Sequence, residues 1–350
     1  MPVAPSNQAQ EATESIAPWW LPGGHLQTIW PALRVRHAQP AALAAIHYRR
    51  ERWTTPDGDF IDVDWCDAQA GSAATPTPLL VLFHGLEGSS HSHYALAFAQ
   101  VAQQRGLSFV VPHFRGCSGE INRAARAYHS GDYEEIGWIL TRLRQCTPRP
   151  LMVVGVSLGG NALLRWAQEA GSQGRLQASA VASISAPVDL AASGQAMGRG
   201  FNRSVYTRMF LRSMKPKAMQ KLAQHPGLFQ PQALLGARTL YEFDNVFTAP
   251  LHGFRNTEDY WARASAKPHL AGMMLPTLVV NARNDPFVPA SSLPRASQVG
   301  RHVSLWQPLH GGHVGFARGP WPGHIQTMPA AVLTWLAQQS GLTLKGNVDG

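Results

Sequence analysis

The sequence predicts an α/β fold with a mostly parallel central sheet that is covered by helices on both faces. Short runs rich in valine, leucine and isoleucine alternate with segments of helical periodicity, which is typical of parallel strands buried on both faces. Roughly ninety residues without a strand pattern interrupt this alternation, and we expect them to form a helical cap, about 188–272, inserted over the sheet. The predicted parallel strands are Leu79–His84, Ser108–Pro112, Leu151–Gly155, Ala180–Ser185, Thr277–Asn281 and His302–Gln307.

The remaining elements follow in chain order. Residues 1–17 are polar and are expected to be a mobile leader ahead of a single domain over 18–350. The aromatic block Trp19–Leu33 is too apolar for a solvated tail, so we expect it to pack across the fold. A predicted hairpin follows, in which two alternating segments flank an Asp57-Gly58 turn. Its strands are Arg52–Thr55 and Phe60–Trp65, and the predicted helices are Ala95–Arg105, Glu134–Gln145, Ala162–Glu169 and Ala330–Gln339.

Composition excludes several classes of protein. No run approaches the roughly 18 apolar residues that a membrane-spanning helix needs. The amino terminus has no basic group ahead of an apolar run, as a secretory signal would have. Cys66, Cys117 and Cys146 are widely spaced, which argues against a disulfide framework or a zinc knuckle and suits a reducing compartment. The sequence therefore predicts a cytoplasmic protein.

The net charge of +9 is concentrated in one segment of the predicted cap. No acidic residue lies between Asp189 and Glu242, and that window holds eight cations, which leaves +1 for the rest of the chain (9 − 8). A basic charge confined to one segment of a nearly neutral body weakens a nucleic-acid interpretation, and we expect no nucleic-acid partner. The eight cations are Arg199, Arg203, Arg208, Arg212, Lys215, Lys217, Lys221 and Arg238.

The same segment has an apolar stripe at helical spacing. Three hypotheses for Arg199–Lys221 are peripheral contact with an anionic membrane, an acyl-binding cleft, and contact with the phosphates of an acyl thioester. The alternative is a cap helix with its apolar face on the core and a solvated basic face. The stripe consists of Phe201, Val205, Met209, Phe210 and Met214.

The strongest catalytic signal is the segment Gly155–Gly160, which reads Gly-Val-Ser-Leu-Gly-Gly. It follows a predicted strand and precedes a predicted helix, the context in which G-x-S-x-G forms a nucleophile elbow. The turn is so tight that side chains two residues either side of the serine would collide with the adjoining strand and helix. The sequence therefore predicts that Ser157 is a catalytic nucleophile rather than part of a plain Gly/Ser turn.

A serine nucleophile needs a base, usually histidine, and the base needs a carboxylate that orients it. In this fold the chain order is serine, then acid, then histidine. Asp285, just after the strand Thr277–Asn281, is the preferred acid, and Asp189, one strand earlier, is the alternative. His313 is the preferred base because it follows the last strand and the glycines before it free the backbone. His310 is the alternative base.

The developing oxyanion needs two backbone N–H donors. One should be Leu158, the residue after the nucleophile. The other should come from the loop that begins His84-Gly85 after the first parallel strand, where Leu86 is the candidate.

Fifteen histidines raise a metal site as a further alternative. The close pairs are His91 with His93 and His310 with His313, and neither has a cysteine or carboxylate at a recognisable ligand spacing. We therefore expect neither a metal nor a cofactor.

Several segments along the chain carry a resemblance to a known family. The chain resembles the YheT-like α/β hydrolases, a family of predicted esterases that is related to eukaryotic lipid-active hydrolases and to yeast ethyl-ester synthases. This resemblance implies the α/β-hydrolase fold and a triad of Ser157, Asp285 and His313. Within the matching segments, Arg115 and Asp132 are candidates for an ion pair at the rim of the site. The segments are His25–Thr28, His84–Ser89, His113–Glu120, Tyr128–Asp132, Gly155–Asn161, Asp285–Phe287 and His310–Phe316.

Together these features favour a serine hydrolase that cleaves carboxylic esters, with acyl or lipid-like substrates, through an acyl-enzyme. The expected partner is a small-molecule ester. One alternative is an acyl-CoA:alcohol O-acyltransferase, or ester synthase, that uses the same residues. Another is a membrane-associated protein with a vestigial triad.

Overall fold

The computed structural model describes residues 17–37, 46–68, 78–342 and 344, so residues 1–16 of the predicted leader 1–17 lie outside the described residues. Within the described residues, eight strands form one sheet. The strands are β1 (Arg49–Thr54), β2 (Phe60–Cys66), β3 (Leu79–Phe83), β4 (Ser108–Pro112), β5 (Leu151–Val156), β6 (Ala180–Ile184), β7 (Thr277–Val280) and β8 (Val303–Trp306).

The sheet is mostly parallel, with the order β1-β2-β4-β3-β5-β6-β7-β8. Strand β2 runs antiparallel to both of its neighbours, β1 and β4. The other neighbouring strands, in the sheet order β4-β3-β5-β6-β7-β8, all pair in parallel. The chain leaves β3 for β4 on one side, whereas β5 lies on the other side of β3. Loops that leave neighbouring strands in opposite directions open a crevice at the carboxyl ends of those strands, which is where ligands bind in such sheets.

Helices cover both faces of the sheet, and the predicted fold class is confirmed. The helices outside the cap are α1 (Gly23–His37), α2 (His93–Gln104), α3 (Tyr133–Cys146) and α4 (Leu158–Ala170). The cap helices are α5 (Leu190–Met197), α6 (Arg208–Gln224), α7 (Pro231–Gly236), α8 (Leu240–Phe243) and α9 (Thr257–Ala264), and α10 (Thr327–Gln339) closes the fold.

Side chains that alternate along the strands pack into two separate apolar cores, one on each face of the sheet. In β3, Leu80 and Leu82 pack in the cluster that contains α2 and α10, whereas Val81 and Phe83 pack in the cluster with α3 and α4. All five residues of this strand are buried, because a strand covered on both faces has no polar side. Burial of each such side chain contributes about 1.5–3 kcal/mol.

The segment between β6 and β7 is helical, and no strand occurs among its described residues. It has apolar clusters of its own, one of which contains Leu211, Leu234 and Phe243. Two π-helical turns interrupt its regular helices. Arg203–Thr207 leads into α6, and Asp244–Thr248 continues from α8.

Four of the predicted parallel strands end one residue earlier than expected, and one of them is β8, which ends at Trp306. The other three, β3, β6 and β7, stop at Phe83, Ile184 and Val280. The next residue in each case is polar and leaves the ladder for a loop. The three residues are His84, Ser185 and Asn281. Helix α4 begins at Leu158 rather than at the predicted Ala162, so the helix starts directly after Ser157.

Candidate active site

Ser157 lies on a strained turn between β5 and α4. Its φ of 54° and ψ of −119° are a backbone conformation that residues other than glycine rarely adopt. A Cβ on Gly155 would overlap the carbonyl oxygen of Gly159, and a Cβ on Gly159 would overlap the carbonyl oxygens of Phe83 and His84. The two glycines therefore let the strand and the helix approach closely enough to hold Ser157 at the carboxyl end of β5.

Asp285 lies in the loop after β7, and its carboxylate is fixed at both oxygens. Oδ1 accepts hydrogen bonds from the backbone N–H of Phe287 at 2.8 Å and of Val288 at 3.3 Å. Oδ2 lies 2.9 Å from Nδ1 of His313. The Asp285 side chain is fully buried, so one carboxylate orientation is held without competition from water.

His313 links the acid to the serine. Its Nε2 lies 3.0 Å from Oγ of Ser157. Because the carboxylate of Asp285 only accepts, Nδ1 carries the proton and the lone pair of Nε2 faces the serine hydroxyl. The ring of Phe287 packs against the imidazole with the ring centroids 4.2 Å apart. The structure thus brings together the three residues that the sequence predicted as nucleophile, acid and base.

The alternative acid and base lie elsewhere. Asp189 caps α5, where its side chain accepts from the N–H of Ala192 at 3.1 Å. Nδ1 of His310 lies 3.5 Å from the side-chain amide of Asn284. Among the described residues, neither side chain is hydrogen-bonded to Ser157.

The loop after β3 lies against the nucleophile, since a Cβ on Gly85 would come within 3.1 Å of Cβ of Ser157. The amides on either side of Leu86 have partners. Gly85 donates to the hydroxyl of Tyr94 at 2.8 Å, and Glu87 donates to the hydroxyl of Tyr128 at 3.0 Å.

The two predicted oxyanion donors are not used elsewhere. The N–H groups of Leu86 and Leu158 have no acceptor among the described residues. This leaves both groups available to an oxyanion next to Ser157.

His84 holds the loop after β3 in place. Nδ1 lies 2.8 Å from the carbonyl oxygen of Gly85, and Nε2 accepts from the N–H of Phe114 at 3.1 Å. Burial lowers the pKa of His84 to about 3, so the imidazole is neutral and serves as one donor and one acceptor. This arrangement anchors the backbone that carries the Leu86 amide.

Two residues of α1 that the sequence did not predict hold the loops that carry Asp285 and His313. Oε1 of Gln27 accepts from the N–H of Gly311 and from the side-chain amide of Asn284, both at 2.9 Å. Oγ1 of Thr28 accepts from the N–H of His313 at 2.8 Å and donates to the carbonyl of Gly24. Both side chains are buried.

The backbone of α1 also lies against the His313 loop. A Cβ on Gly312 or on Gly315 would overlap the backbone of Gln27. The only sequence signal for this contact was the family resemblance of His25–Thr28, because no local pattern links residues nearly three hundred positions apart.

The predicted ion pair of Arg115 with Asp132 is wrong. The guanidinium of Arg115 is buried and pairs with Asp57, Asp59 and Glu135 at 2.6–2.9 Å. Asp132 instead receives both of its 2.7 Å bonds from Arg126. Burial and the neighbouring Asp132 raise the pKa of Glu135 to about 7. This network ties the turn after β1 to helix α3.

A cavity of about 170 Å³ lies between the cap and Ser157. Its wall includes Leu158 and His313, together with side chains from the cap. Most of the cap side chains that line it are large and apolar, so the cavity suits an extended hydrocarbon group. They are Leu190, Met197, Phe210, Met214, Leu240, Phe243, Phe247, Tyr260 and Trp261.

Charged side chains interrupt the apolar wall, among them Lys217 and Asp244. Nζ of Lys217 pairs with Glu87 at 2.9 Å, next to the candidate oxyanion donor. Asp244 accepts from Thr248 Oγ1 at 2.7 Å and from Trp261 Nε1 at 2.9 Å. Burial raises the pKa of Asp244 to about 6, because two hydrogen bonds compensate only part of the lost hydration.

Two kinds of feature are absent from the described residues. Within them, no helix is long and apolar enough to cross a membrane. The same part of the chain has no group of three or more histidine, cysteine, aspartate or glutamate side chains that could hold a metal ion.

Comparisons with known proteins agree with this architecture. A family model described as "alpha/beta hydrolase fold" matches residues 78–320. The protein named "Putative esterase YheT" from Escherichia coli (strain K12) is 39% identical over 95% of this chain and 95% of its own length. "Phospholipase ABHD3" of Mus musculus is 29% identical over 79% of this chain and 68% of its own.

A solved structure extends the likeness to three dimensions. Est1E from Butyrivibrio proteoclasticus, with ferulic acid bound, superposes with a TM-score of 0.52 over 84% of this chain and 99% of its own. At 15% identity this likeness concerns the fold.

The Thr28→Val variant tests the contact between α1 and the base. Valine keeps the shape but cannot accept from the N–H of His313, so the imidazole loses one of its constraints. For any ester that the wild type cleaves, we expect kcat to fall about tenfold with KM nearly unchanged. Thr28→Ser keeps the hydroxyl and should retain most of the activity. Equal activity of Thr28→Val and the wild type would show that this bond does not position the base.

The Asp244→Asn variant tests the raised pKa in the cavity wall. Because the folded carboxyl has a pKa of about 6 and the unfolded one 3.8, the fold prefers the protonated form. The contribution of Asp244 is therefore greatest below about pH 4 and declines as pH rises through 6. Relative to the asparagine variant, the wild type should lose about 2 kcal/mol of unfolding free energy between pH 4 and pH 7, allowing for partial exposure. Urea unfolding across this range measures it, and a pH-independent difference would contradict it.

Proposed function

The chain belongs to the YheT-like family of α/β hydrolases, and from this premise we propose that it is a serine hydrolase that cleaves carboxylic esters through a covalent acyl-enzyme. The observation that carries the proposal is the hydrogen-bonded series from Ser157 through His313 to Asp285. This series lies at the edge of an apolar cavity and next to the N–H groups of Leu86 and Leu158, which have no acceptor among the residues that the structure describes.

In the first half-reaction, Oγ of Ser157 attacks the ester carbonyl while Nε2 of His313 takes its proton. The carbonyl oxygen becomes an oxyanion, which accepts hydrogen bonds from the N–H groups of Leu86 and Leu158. Asp285 stabilises the imidazolium that forms and holds it in one orientation. Collapse of the tetrahedral intermediate breaks the bond to the alcohol oxygen, which takes the proton from Nε2.

In the second half-reaction, His313 removes a proton from water, and the resulting hydroxide attacks the acyl carbonyl. The bond to Oγ then breaks, Ser157 recovers its proton from Nε2, and the carboxylic acid leaves. No metal or redox group enters either half-reaction, because the base and the N–H donors supply the proton transfer and the charge stabilisation.

The apolar lining of the cavity supports the proposal that the cavity binds the acyl chain of the substrate. Burying hydrocarbon against side chains such as Phe210, Met214 and Phe247 stabilises the complex by about 0.8 kcal/mol per methylene. The Mus musculus relative named a phospholipase is consistent with an acyl substrate for this chain as well.

Acyl transfer to an alcohol is a second candidate, because an alcohol can replace water in the second half-reaction without any new group. Product analysis with and without added alcohol distinguishes the two reactions. Predominant free acid in both cases favours hydrolysis, whereas predominant new ester in the presence of alcohol favours acyl transfer.

A fluorophosphonate probe tests the nucleophile. Wild-type protein should be labelled covalently, and Ser157→Ala should not be. Because the triad acts as a unit, Ser157→Ala should lower kcat by three or more orders of magnitude, and Asp285→Asn, which disturbs the tautomer of His313, by about 10⁴-fold. Equal labelling of the wild type and Ser157→Ala, or no labelling of either, would reject the proposal in favour of a vestigial triad.

The Met214→Trp variant tests the acyl site. A tryptophan at this position reduces the cavity, so kcat/KM for a long-chain ester should fall more than about tenfold while that for an acetyl ester changes little. Gln220→Trp, on an exposed position of the same helix, is the matched control and should leave both values unchanged. Equal losses on short and long esters would place the acyl chain elsewhere.

A further inference from the structure

Seven of the eight cations between Asp189 and Glu242 divide into two groups that the sequence could not separate. Lys217 and Lys221 turn inward. Lys217 pairs with Glu87, and Nζ of buried Lys221 donates to the carbonyl oxygens of Asn122 and Ala124. The other group lines a groove on the outside of the cap. Its members are Arg203, Arg208, Arg212, Lys215 and Arg238.

No carboxylate lines the groove in the part of the chain that the structure describes. Among the described residues, no acidic side chain forms an ion pair with Arg203, Arg208 or Arg212, and all three are exposed. Nζ of Lys215 donates to the carbonyl oxygen of Leu235. Glu242 accepts from the backbone N–H of Arg238 rather than from its guanidinium. Five cations with no paired anion define a site for a ligand with several negative charges.

Exposed apolar side chains lie on the same stretch of chain. Phe201 is 50% exposed, Val205 38% and Met209 55%. The predicted single apolar stripe is therefore wrong, since Phe210 and Met214 instead line the cavity. Met209 and Phe210 are consecutive residues of α6 and therefore lie about 100° apart around the helix, so Met209 faces outward while Phe210 reaches the cavity.

We propose that this outer face of the cap docks on a bilayer that contains anionic phospholipid. Headgroup phosphates occupy the basic groove, and Phe201, Val205 and Met209 enter the interfacial region between headgroups and acyl chains. The exposed apolar side chains favour a bilayer over a nucleic acid, since phosphates on a duplex would leave them in water. Docking does not depend on the proposed esterase chemistry.

The position of the cavity gives docking a consequence for substrate entry. Helix α6 carries groove residues such as Arg208 and Arg212 on one side and cavity residues such as Phe210 and Met214 on another. A helix with its side chains is about 10 Å across. Docking therefore brings the apolar cavity within about one helix diameter of the bilayer surface.

The test uses full-length Ser157→Ala protein, so that lipid cleavage does not disturb the vesicles. Co-sedimentation is measured with vesicles of phosphatidylcholine alone and of phosphatidylcholine mixed with phosphatidylglycerol, at low and high salt. We expect binding to the mixed vesicles, weakened by salt, and little binding to the neutral ones. Absence of binding to the mixed vesicles at low salt, or equal binding to both kinds, would overturn the proposal.

Two triple variants in the Ser157→Ala background test the groove itself. Replacing Arg203, Arg208 and Arg212 by glutamine should weaken vesicle binding roughly a hundredfold. The control replaces three exposed arginines outside the cap and removes the same charge with little effect on binding. Equal losses in both variants would show that only net charge matters. The control arginines are Arg175, Arg295 and Arg301.

Further measurements establish that the variants are folded and separate the contributions to binding. Circular dichroism and the Tm establish that each variant is folded. If the triple variant is not, the single Arg208→Gln variant should still weaken binding about fivefold. Met209→Ser should lower binding without changing its salt dependence, because it removes an apolar contact alone.

Tighter binding of a DNA duplex than of the mixed vesicles at equal salt would assign the groove to nucleic acid and overturn the proposal.

Discussion

The candidate site depends on one buried acceptor, the side-chain oxygen of Gln27. The acid and the base lie on two irregular loops that follow different strands, β7 and β8. Gln27 accepts from Asn284 in the first loop and from Gly311 in the second. Both bonds converge on one atom, and the N–H of Gly312 also donates to Oδ1 of Asn284 at 3.0 Å, so the two loops keep a fixed separation around the 2.9 Å contact between His313 and Asp285. A buried hydrogen bond of this kind is expensive to leave unmade, which makes the arrangement rigid.

The rigid side of the cavity below Ser157 differs in construction from the cap above it. The sheet side of the cavity is built from strand ends and from glycines whose Cβ positions are already filled by neighbouring backbone. The cap side is built from helices interrupted by two π-helical turns, and its contacts are mostly between apolar side chains. Apolar contacts have no required direction, so the cap can repack around different acyl groups of the proposed substrates while the hydrogen-bonded base beneath it stays in place. In the proposed reaction, chemistry and substrate selection are thus assigned to parts of the chain with different physical properties.

The elements predictable from sequence were those with a short-range physical cause. The Ser157 turn requires glycines two residues away, the buried strands require continuous apolar runs, and Asp285 and His313 follow strand ends in a fixed order. The role of Gln27 and the partners of Arg115 depend on residues far away in sequence, so no local pattern encodes them. The apolar stripe of the cap failed for a different reason, because Met209 and Phe210 are consecutive on α6 and so point in directions about 100° apart rather than along one stripe.

The outward-facing and the inward-facing cations of α6 differ in the groups that compensate their charge. Arg208 and Arg212 are four residues apart on α6, a spacing at which like charges destabilise a helix by about 0.2–0.5 kcal/mol. Lys217 and Lys221 share this spacing, but Glu87 and two carbonyl oxygens compensate for them inside the protein. The outer pair has no such compensation among the described residues. An anionic surface would remove the repulsion between the arginines and would cover the exposed apolar side chains beside them. Water screens only part of that repulsion and leaves the apolar side chains exposed. Two unfavourable features on one face are therefore relieved by the same partner.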